Sequence, residues 1–219
     1  MKTLANLLDG HPSNKTSILI PDGPKLTYQE YAEYVEEISN LFSGYGILKG
    51  RAISIVLGNG LDFMITFLAA TRAGAIAAPL NPAYTVDEFE FFMSDAESQF
   101  VVVGENSAAA VQAASKVGIP VIVSKINESG KLELFSNGTR LTKSVESDLP
   151  SENDVALFLH TSGTTSRPKG VPLTHKNLVT SLLNITNSYS LTPNDRAMVV
   201  MPLFHVHGLI GVSLSSLFS

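Results

Sequence analysis

The residue types best suited to chemistry in this chain lie in one short loop. An apolar run at residues 155–159 leads into His160-Thr161-Ser162-Gly163-Thr164-Thr165-Ser166-Arg167-Pro168-Lys169-Gly170. Glycines let the backbone come close to phosphate oxygens, and successive backbone N–H groups in such a turn form a concave anion site to which hydroxyls add donors. Arg167 and Lys169 supply positive charge. The loop is therefore predicted to bind a polyphosphate, and hence a nucleotide.

The Walker A loop, G-x-x-x-x-G-K-[ST], is the obvious motif for comparison. Gly163 and Lys169 have the Walker separation, but Pro168 stands where the second glycine belongs, and Gly170 replaces the magnesium-binding hydroxyl residue. Because proline has no backbone N–H, it removes a donor that a Walker loop directs at phosphate. A P-loop hydrolase is therefore a weak alternative. A Ser/Thr/Gly-rich surface loop without function is another.

The loop instead resembles the phosphate-binding motif of the adenylate-forming superfamily, which includes acyl-CoA synthetases, luciferases and peptide-synthetase adenylation domains. That motif is Thr/Ser-Ser-Gly-Thr-Thr-Gly-x-Pro-Lys-Gly, followed by a short strand and a helix. The matching positions are Thr161, Ser162, Gly163, Thr164, Thr165, Pro168, Lys169 and Gly170. Ser166 departs from the commonest glycine, so the backbone is less free at that point.

Two further segments extend the resemblance. Met201-Pro202-Leu203-Phe204-His205-Val206-His207-Gly208 is similar to the Pro-Leu-Phe-His segment that lines the acyl pocket of acyl-CoA ligases. Residues 77–85, Ala-Ala-Pro-Leu-Asn-Pro-Ala-Tyr-Thr, resemble a segment at the end of an early strand in the same superfamily. Together with the residues flanking the loop, they identify the chain most closely with the oxalyl-CoA synthetase group of plants and fungi.

The resemblance implies an ATP-dependent, AMP-forming acyl-CoA ligase that uses ATP, Mg²⁺ and coenzyme A. A carboxylate attacks the α-phosphorus of ATP, which gives an acyl-adenylate and pyrophosphate, and the thiol of coenzyme A then displaces AMP. This chemistry depends on aligning the reactants and dispersing charge over the phosphates. Oxalate is the expected acid, and an aromatic acid of the 4-coumarate type is the next hypothesis.

The resemblance also assigns residues. The ATP-binding residues are Thr161, Ser162, Gly163, Thr164, Thr165, Ser166, Lys169 and Gly170. Lys169, which neutralises the departing pyrophosphate, and Thr165 are the expected catalytic residues. A separate hypothesis, based on position alone, is that His160 orients the loop that follows it.

His205 and His207 form an H-x-H pair, which on an extended segment presents both rings to the same side. Such a pair can supply two zinc ligands, but the chain has no cysteine, and its other histidines lack ligand spacing. No metal site is therefore predicted. Two alternatives stay open: that the pair binds a metal ion, and that the two histidines have a core or capping role. The preferred hypothesis, from the resemblance, is that His207, His205 and Phe204 bind the acid. An imidazole there can hydrogen-bond the second carboxylate of a diacid such as oxalate.

Composition limits the partners. The chain has 219 residues, of which 44% are hydrophobic and 16% charged, as in ordinary globular proteins. Its net charge of −5 and the lack of a Lys/Arg cluster argue against a nucleic-acid partner. Asn59, Asp62 and Arg72 interrupt the most apolar region, so no membrane span is expected, and the N-terminus does not resemble a signal peptide. The resemblance implies a small carboxylic acid, ATP and coenzyme A as partners, in a cytoplasmic or peroxisomal setting, and the oligomeric state is left open.

Helix-like and strand-like patterns alternate, which predicts an α/β fold with doubly wound, largely parallel sheets and flanking helices. Helices are predicted at about 28–42, 61–71, 85–96, 108–116 and 174–189. Strands are predicted at 52–57, 100–103, 120–123 and 155–159, with a further short strand that ends at 79. A buried strand is predicted at 197–201. A turn is expected at Asn137-Gly138.

Two units are predicted. Residues 1–150 form an N-terminal α/β subdomain with a polar excursion at about 125–153, and residues 151–219 form a phosphate-loop subdomain that is incomplete at its C-terminal end. Because the chain stops within an apolar segment, the expectation is an N-terminal portion of the adenylate-forming fold, without the mobile C-terminal domain and its catalytic lysine. A truncated, non-catalytic nucleotide-binding or interaction fragment is the alternative.

Overall fold

A computed structural model describes residues 1–21, 23–161 and 168–219. The helices are the short 3-10 helix Leu4–Asn6, α1 (Tyr28–Tyr45), α2 (Leu61–Arg72), α3 (Val86–Asp95), α4 (Ala108–Val117), α5 (His175–Tyr189), the π-helix His207–Leu214 and α6 (Ser215–Phe218). The strands are β1 (Thr16–Leu19), β2 (Lys25–Thr27), β3 (Ala52–Val56), β4 (Ile76–Pro79), β5 (Ser98–Val103), β6 (Val121–Ile126), β7 (Leu132–Ser136), β8 (Thr139–Arg140), β9 (Val155–Thr161) and β10 (Lys169–Thr174).

Within the described residues, eight strands form one sheet in the order β10-β9-β4-β3-β5-β6-β7-β8. The central strands from β9 to β6 run parallel, whereas β10, β7 and β8 join in antiparallel fashion. β1 and β2 pair separately. The predicted α/β, largely parallel architecture is therefore confirmed, with antiparallel strands added at both edges.

Both faces of the sheet are covered, as the uniformly apolar strands predict. On β5, Val102 belongs to the core that α1, α2 and α5 share, while Val101 and Val103 belong to the core beneath α3 and α4. All three side chains are fully buried. Because successive strand residues point to opposite faces, such a strand needs apolar residues at every position.

Local signals set the helix ends where the sequence predicts them. The Thr27 hydroxyl accepts the N–H of Glu30, whose carboxylate accepts the N–H of Thr27, so a capping box opens α1. Thr85 and Thr174 cap α3 and α5 in the same way. α1 ends at Gly46, whose φ of 97° is left-handed and suits glycine.

The polar excursion contains the predicted turn. Asn137 and Gly138 have φ values of 49° and 76°, and they join β7 to β8 in a two-residue hairpin. Beyond it, β9 and β10 join the same sheet as β3 and β4, so strands of both predicted units share one sheet. A unit boundary between residues 150 and 151 is retained as a proposal.

The predicted buried strand at residues 197–201 is wrong. The segment is irregular, and the side chains of Met198 and Val200 are 82% and 74% exposed, whereas Val199 packs against the core. An apolar run marks residues that can be buried, but a strand also needs a partner for its backbone N–H and C=O groups. In the described residues no strand pairs with this segment.

Candidate functional site

The strand order places the candidate site at the carboxyl ends of the central parallel strands, which form one edge of the sheet. β3, β4, β5 and β9 run in the same direction, so their carboxyl ends at Val56, Pro79, Val103 and Thr161 meet there. From β3 the chain passes to β4 on one side and later to β5 on the other, which is the topological switch at which open α/β sheets bind ligands. The predicted phosphate loop begins at this edge.

The structure describes the two ends of that loop. Thr161 and Lys169 are exposed and pair across the β9–β10 hairpin, so a hydroxyl and an ammonium group lie opposite each other where the loop begins and ends. Five further predicted phosphate ligands, among them the predicted catalytic threonine, lie outside the described residues: Ser162, Gly163, Thr164, Thr165 and Ser166. Their roles remain predictions.

Gly170, the next predicted ligand, is needed for packing. It pairs with His160 across the hairpin. A Cβ atom at position 170 would lie 2.3 Å from Cζ of Phe158 and 3.2 Å from Oδ2 of Asp95. The glycine therefore allows these side chains to lie close against β10, whatever contact its N–H makes with phosphate.

His160 is held beside the loop by an acid that sequence analysis missed. Its Nε2 lies 2.8 Å from Oδ2 of Asp95, the last residue of α3. A carboxylate can only accept, so Nε2 carries the hydrogen. Asp95 is therefore the hydrogen-bond partner of His160, the residue that is predicted to orient the loop. In the sequence, the only hint was an acid at the C-terminal end of a helix, where the helix dipole disfavours negative charge.

Asn59 positions the Pro-Leu-Phe-His segment and was also missed. Its side-chain N–H donates to the carbonyl of Met201 at 2.9 Å, and its Oδ1 accepts the N–H of Leu203 at 2.8 Å. One side-chain amide thus forms hydrogen bonds with the backbone on both sides of Pro202. Asn59 follows β3 at the carboxyl ends of the parallel strands, where the topological switch lies. The signal available in the sequence was a polar residue just beyond a buried strand.

The predicted acid-binding residues lie in a turn and at the start of a helix. The same-side arrangement of an extended segment therefore does not apply to His205 and His207, and their role in binding the acid stays a prediction. The N–H of His205 donates to the carbonyl of Pro202 at 3.1 Å, which closes a turn, and His207 begins the π-helix. The N–H of His207 donates to Nδ1 of His205 at 3.3 Å. Both histidines are exposed, and Phe204 packs partly against the core. The tight turn replaces strand geometry because proline has no N–H to pair.

A cavity of about 280 Å³ lies beside this turn, between α5 and the π-helix. His207 lines it together with Asn177 and Ser181 of α5, and apolar side chains form the remaining wall. His205 and Phe204 do not line it. Of the predicted acid-binding residues, the structure therefore places His207 at a cavity, with neutral hydrogen-bonding groups beside it.

A buried histidine supports the base of the hairpin. His175, the first residue of α5, is fully buried, and its Nδ1 accepts the N–H of Leu4 at 3.1 Å. Among the described residues, its Nε2 has no hydrogen-bond partner. Burial lowers the pKa of His175 to about 4, so the ring is neutral at physiological pH. It anchors the N-terminal segment to the helix that follows β10.

No group of three or more His, Asp or Glu side chains in the described residues is arranged to hold a metal ion. Nor does any helix in that part of the chain have the length and apolar character needed to cross a bilayer.

Comparisons with known proteins match most of the chain. The model of one protein family, described as AMP-binding enzyme, matches residues 6–219. The chain is 44% identical over 196 residues to oxalate–CoA ligase of Arabidopsis thaliana and 36% identical over 235 aligned positions to oxalate–CoA ligase of Saccharomyces cerevisiae. Among solved structures, ATP-bound MatB from Rhodopseudomonas palustris is similar, with a TM-score of 0.82 and 28% sequence identity.

These alignments cover most of this chain and less than half of each relative. The plant and yeast enzymes align with 88% and 93% of this chain, which spans 38% and 43% of their own lengths. For MatB the corresponding shares are 99% and 43%.

Proposed function

Because the chain belongs to the family of AMP-binding enzymes, we propose that it supplies the phosphate-binding part of an AMP-forming carboxylate–CoA ligase. The observation that supports the proposal is the position of Thr161 and Lys169. They lie at the carboxyl end of a parallel strand, on either side of a loop whose residues are typical of the phosphate motif. The similarity to an ATP-bound structure is a second support.

In the proposed reaction, a carboxylate oxygen attacks the α-phosphorus of ATP, and the bond to the β-phosphate oxygen breaks as pyrophosphate leaves. The thiol of coenzyme A loses its proton to solvent, its sulfur attacks the acyl carbon, and AMP leaves with the bonding electrons. Lys169 neutralises charge on the departing pyrophosphate, and Thr161 adds a hydroxyl donor. Mg²⁺ supplied with ATP would screen the charge of the phosphates.

Oxalate is the acid we propose. The two relatives with this activity in their names share 44% and 36% identity with the chain. The cavity beside the turn carries His207, Asn177 and Ser181 as hydrogen-bonding groups within an otherwise apolar wall. Such groups suit the second carboxylate of a diacid better than a long alkyl chain, because a polar group facing an alkyl chain would lose its hydrogen bonds to water.

The test is acid-dependent AMP release by the purified protein that carries this sequence. ATP, Mg²⁺ and coenzyme A are supplied with oxalate, acetate, coumarate or a long-chain fatty acid. Oxalate is expected to give the highest rate. We expect Lys169→Ala to lower that rate by about 10²-fold, as loss of one transition-state donor does. Lys131→Ala, which removes an exposed lysine from the β6–β7 turn, is the control and is expected to leave the rate unchanged.

Three results would contradict the proposal. ATP binding without AMP release would favour a nucleotide-binding fragment, and release of ADP would favour a hydrolase. AMP release with coumarate or a fatty acid but not with oxalate would keep the ligase and reject the acid.

A further inference from the structure

Asp95 occupies a position that needs a compensating partner. It is the last residue of α3, where the unsatisfied carbonyl groups of the helix end give a partial negative charge. A carboxylate there is disfavoured unless a hydrogen-bond donor or a positive group faces it. The N–H at Nε2 of His160 meets this need at 2.8 Å. The contact joins α3 to β9, across 65 positions of sequence.

Aromatic rings fix the position of the His160 imidazole. Its centroid lies 4.6 Å from that of Phe92 on α3 and 5.2 Å from that of Phe158 on β9, with both pairs edge to face. The side chain of His160 is only 8% exposed, whereas that of Asp95 is 40% exposed. With water largely excluded from the ring, its hydrogen bond to Asp95 is stronger than a fully solvated one.

β10, the second strand of the hairpin, packs against the same Asp95–His160 contact. Gly170 pairs with His160, and any larger residue there would press on Phe158 and Asp95. The Asp95–His160 contact therefore holds both strands of the hairpin against the end of α3. Thr161 and Lys169 each lie one residue closer to the loop than this pair, and they pair with each other.

We propose that the Asp95–His160 contact is a latch that sets the positions of Thr161 and Lys169 and so determines the affinity for the β- and γ-phosphates of ATP. The inference rests on the proposed function. Asp95 and His160 are positioning residues: they act through the hairpin and touch no phosphate. The latch thus couples α3, on one face of the sheet, to phosphate binding at its edge.

The test measures the dissociation constants of ATP and AMP by calorimetry for the purified protein and its variants. Asp95→Ala is expected to weaken ATP binding about tenfold, because it removes a charge-assisted hydrogen bond that positions the hairpin. AMP lacks the β- and γ-phosphates, so its binding is expected to be unchanged. Asp95→Asn keeps an acceptor oxygen and is expected to retain most of the ATP affinity.

Glu90→Ala is the matched control. Glu90 lies on the same helix, but it pairs with Lys116 of α4 instead of with the hairpin. Its removal is expected to leave both affinities unchanged. Thermal unfolding is followed for every variant, and if Asp95→Ala does not fold, Asp95→Glu replaces it, because the added methylene displaces the carboxylate from His160.

The outcomes separate the two proposals. If the original protein binds no ATP, the proposed function fails. If it binds ATP and the Asp95 variant binds equally well, the latch is rejected. If ATP and AMP weaken by the same factor, position 95 has a general structural role, and the latch is likewise rejected.

Discussion

The side chain of Asn59 grips the backbone of Leu203, 144 positions away in the sequence, with 2.8 Å between Oδ1 and the N–H nitrogen. The same amide donates to the carbonyl of Met201. This contact brings the turn that carries His205 and His207 to the carboxyl edge of the sheet, where β9 leads into the phosphate loop. The Asn59 amide thus holds the Pro-Leu-Phe-His segment at the end of the sheet where the phosphate motif begins.

Replacing Asn59 with alanine is expected to destabilise the protein by about 0.5–1.5 kcal/mol, since the N–H of Leu203 and the carbonyl of Met201 each lose a protein partner. The measurement is urea unfolding. Asn59→Asp is the informative companion, because a carboxylate still accepts from Leu203 but repels the carbonyl of Met201. Its cost is expected to equal or exceed that of alanine. Equal stability of all three proteins would show that the grip contributes nothing.

Two glycines near the turn are expected to respond differently to alanine. A Cβ at Gly208 would lie 2.3 Å from the carbonyl oxygen of Pro202, which is backbone and cannot easily move, whereas the nearest atom for Gly211 is 3.6 Å away. Gly208→Ala should therefore cost about 2 kcal/mol or more. Gly211→Ala should be neutral or stabilise by up to about 1 kcal/mol, as glycine is a poor helix residue. Thermal unfolding of the pair measures the contrast. A similar cost at both positions would contradict the close approach at Gly208.

His175 predicts a pH dependence of stability. Its folded-state pKa is lowered to about 4 from 6.5 by burial; Lys49 lowers it further and Asp154 partly opposes the shift. The unfolded chain therefore binds the proton more readily, so the free energy of unfolding is highest above pH 6.5 and falls as the pH drops toward 4. The fall attributable to this residue is up to about 3 kcal/mol.

Urea unfolding at pH 7 and pH 5 checks this expectation. His175→Gln is expected to flatten the difference between the two values. His11 is the control, because burial lowers its pKa as well, but to a lesser degree. His11→Gln should retain most of the pH dependence. If the His175 variant keeps the full pH dependence, the buried neutral ring is not its source.

The irregular segment at residues 197–201 can be tested by charge. Met198→Lys and Val200→Asp are expected to change the free energy of unfolding by less than about 0.5 kcal/mol, because both side chains are largely exposed. Val199→Lys should cost more than about 1 kcal/mol, since that side chain packs against the core. Costs above about 1 kcal/mol at all three positions would instead indicate a strand buried on both faces.

Much of the fold was predictable because the signals are local. Thr27 and Glu30 lie three residues apart and bond to each other, and Asn137-Gly138 needs only its own backbone freedom to form a turn. The parallel sheet followed from runs such as residues 101–103, which are apolar at every position. The segment 197–201 has the same apolar character and forms no strand, because pairing depends on a neighbour elsewhere in the chain.

The sequence by itself determined the central helices and parallel strands, the helix caps and the family, because caps, periodicity and the phosphate motif are each contained in a few consecutive residues. Only the tertiary structure decided that Asn59 meets Leu203, that Asp95 meets His160, and that His207 rather than His205 lines a cavity. These contacts depend on strand order, which brings distant residues to one edge of the sheet. A distant partner leaves no local pattern, so the residues that position the candidate site emerged only with the fold.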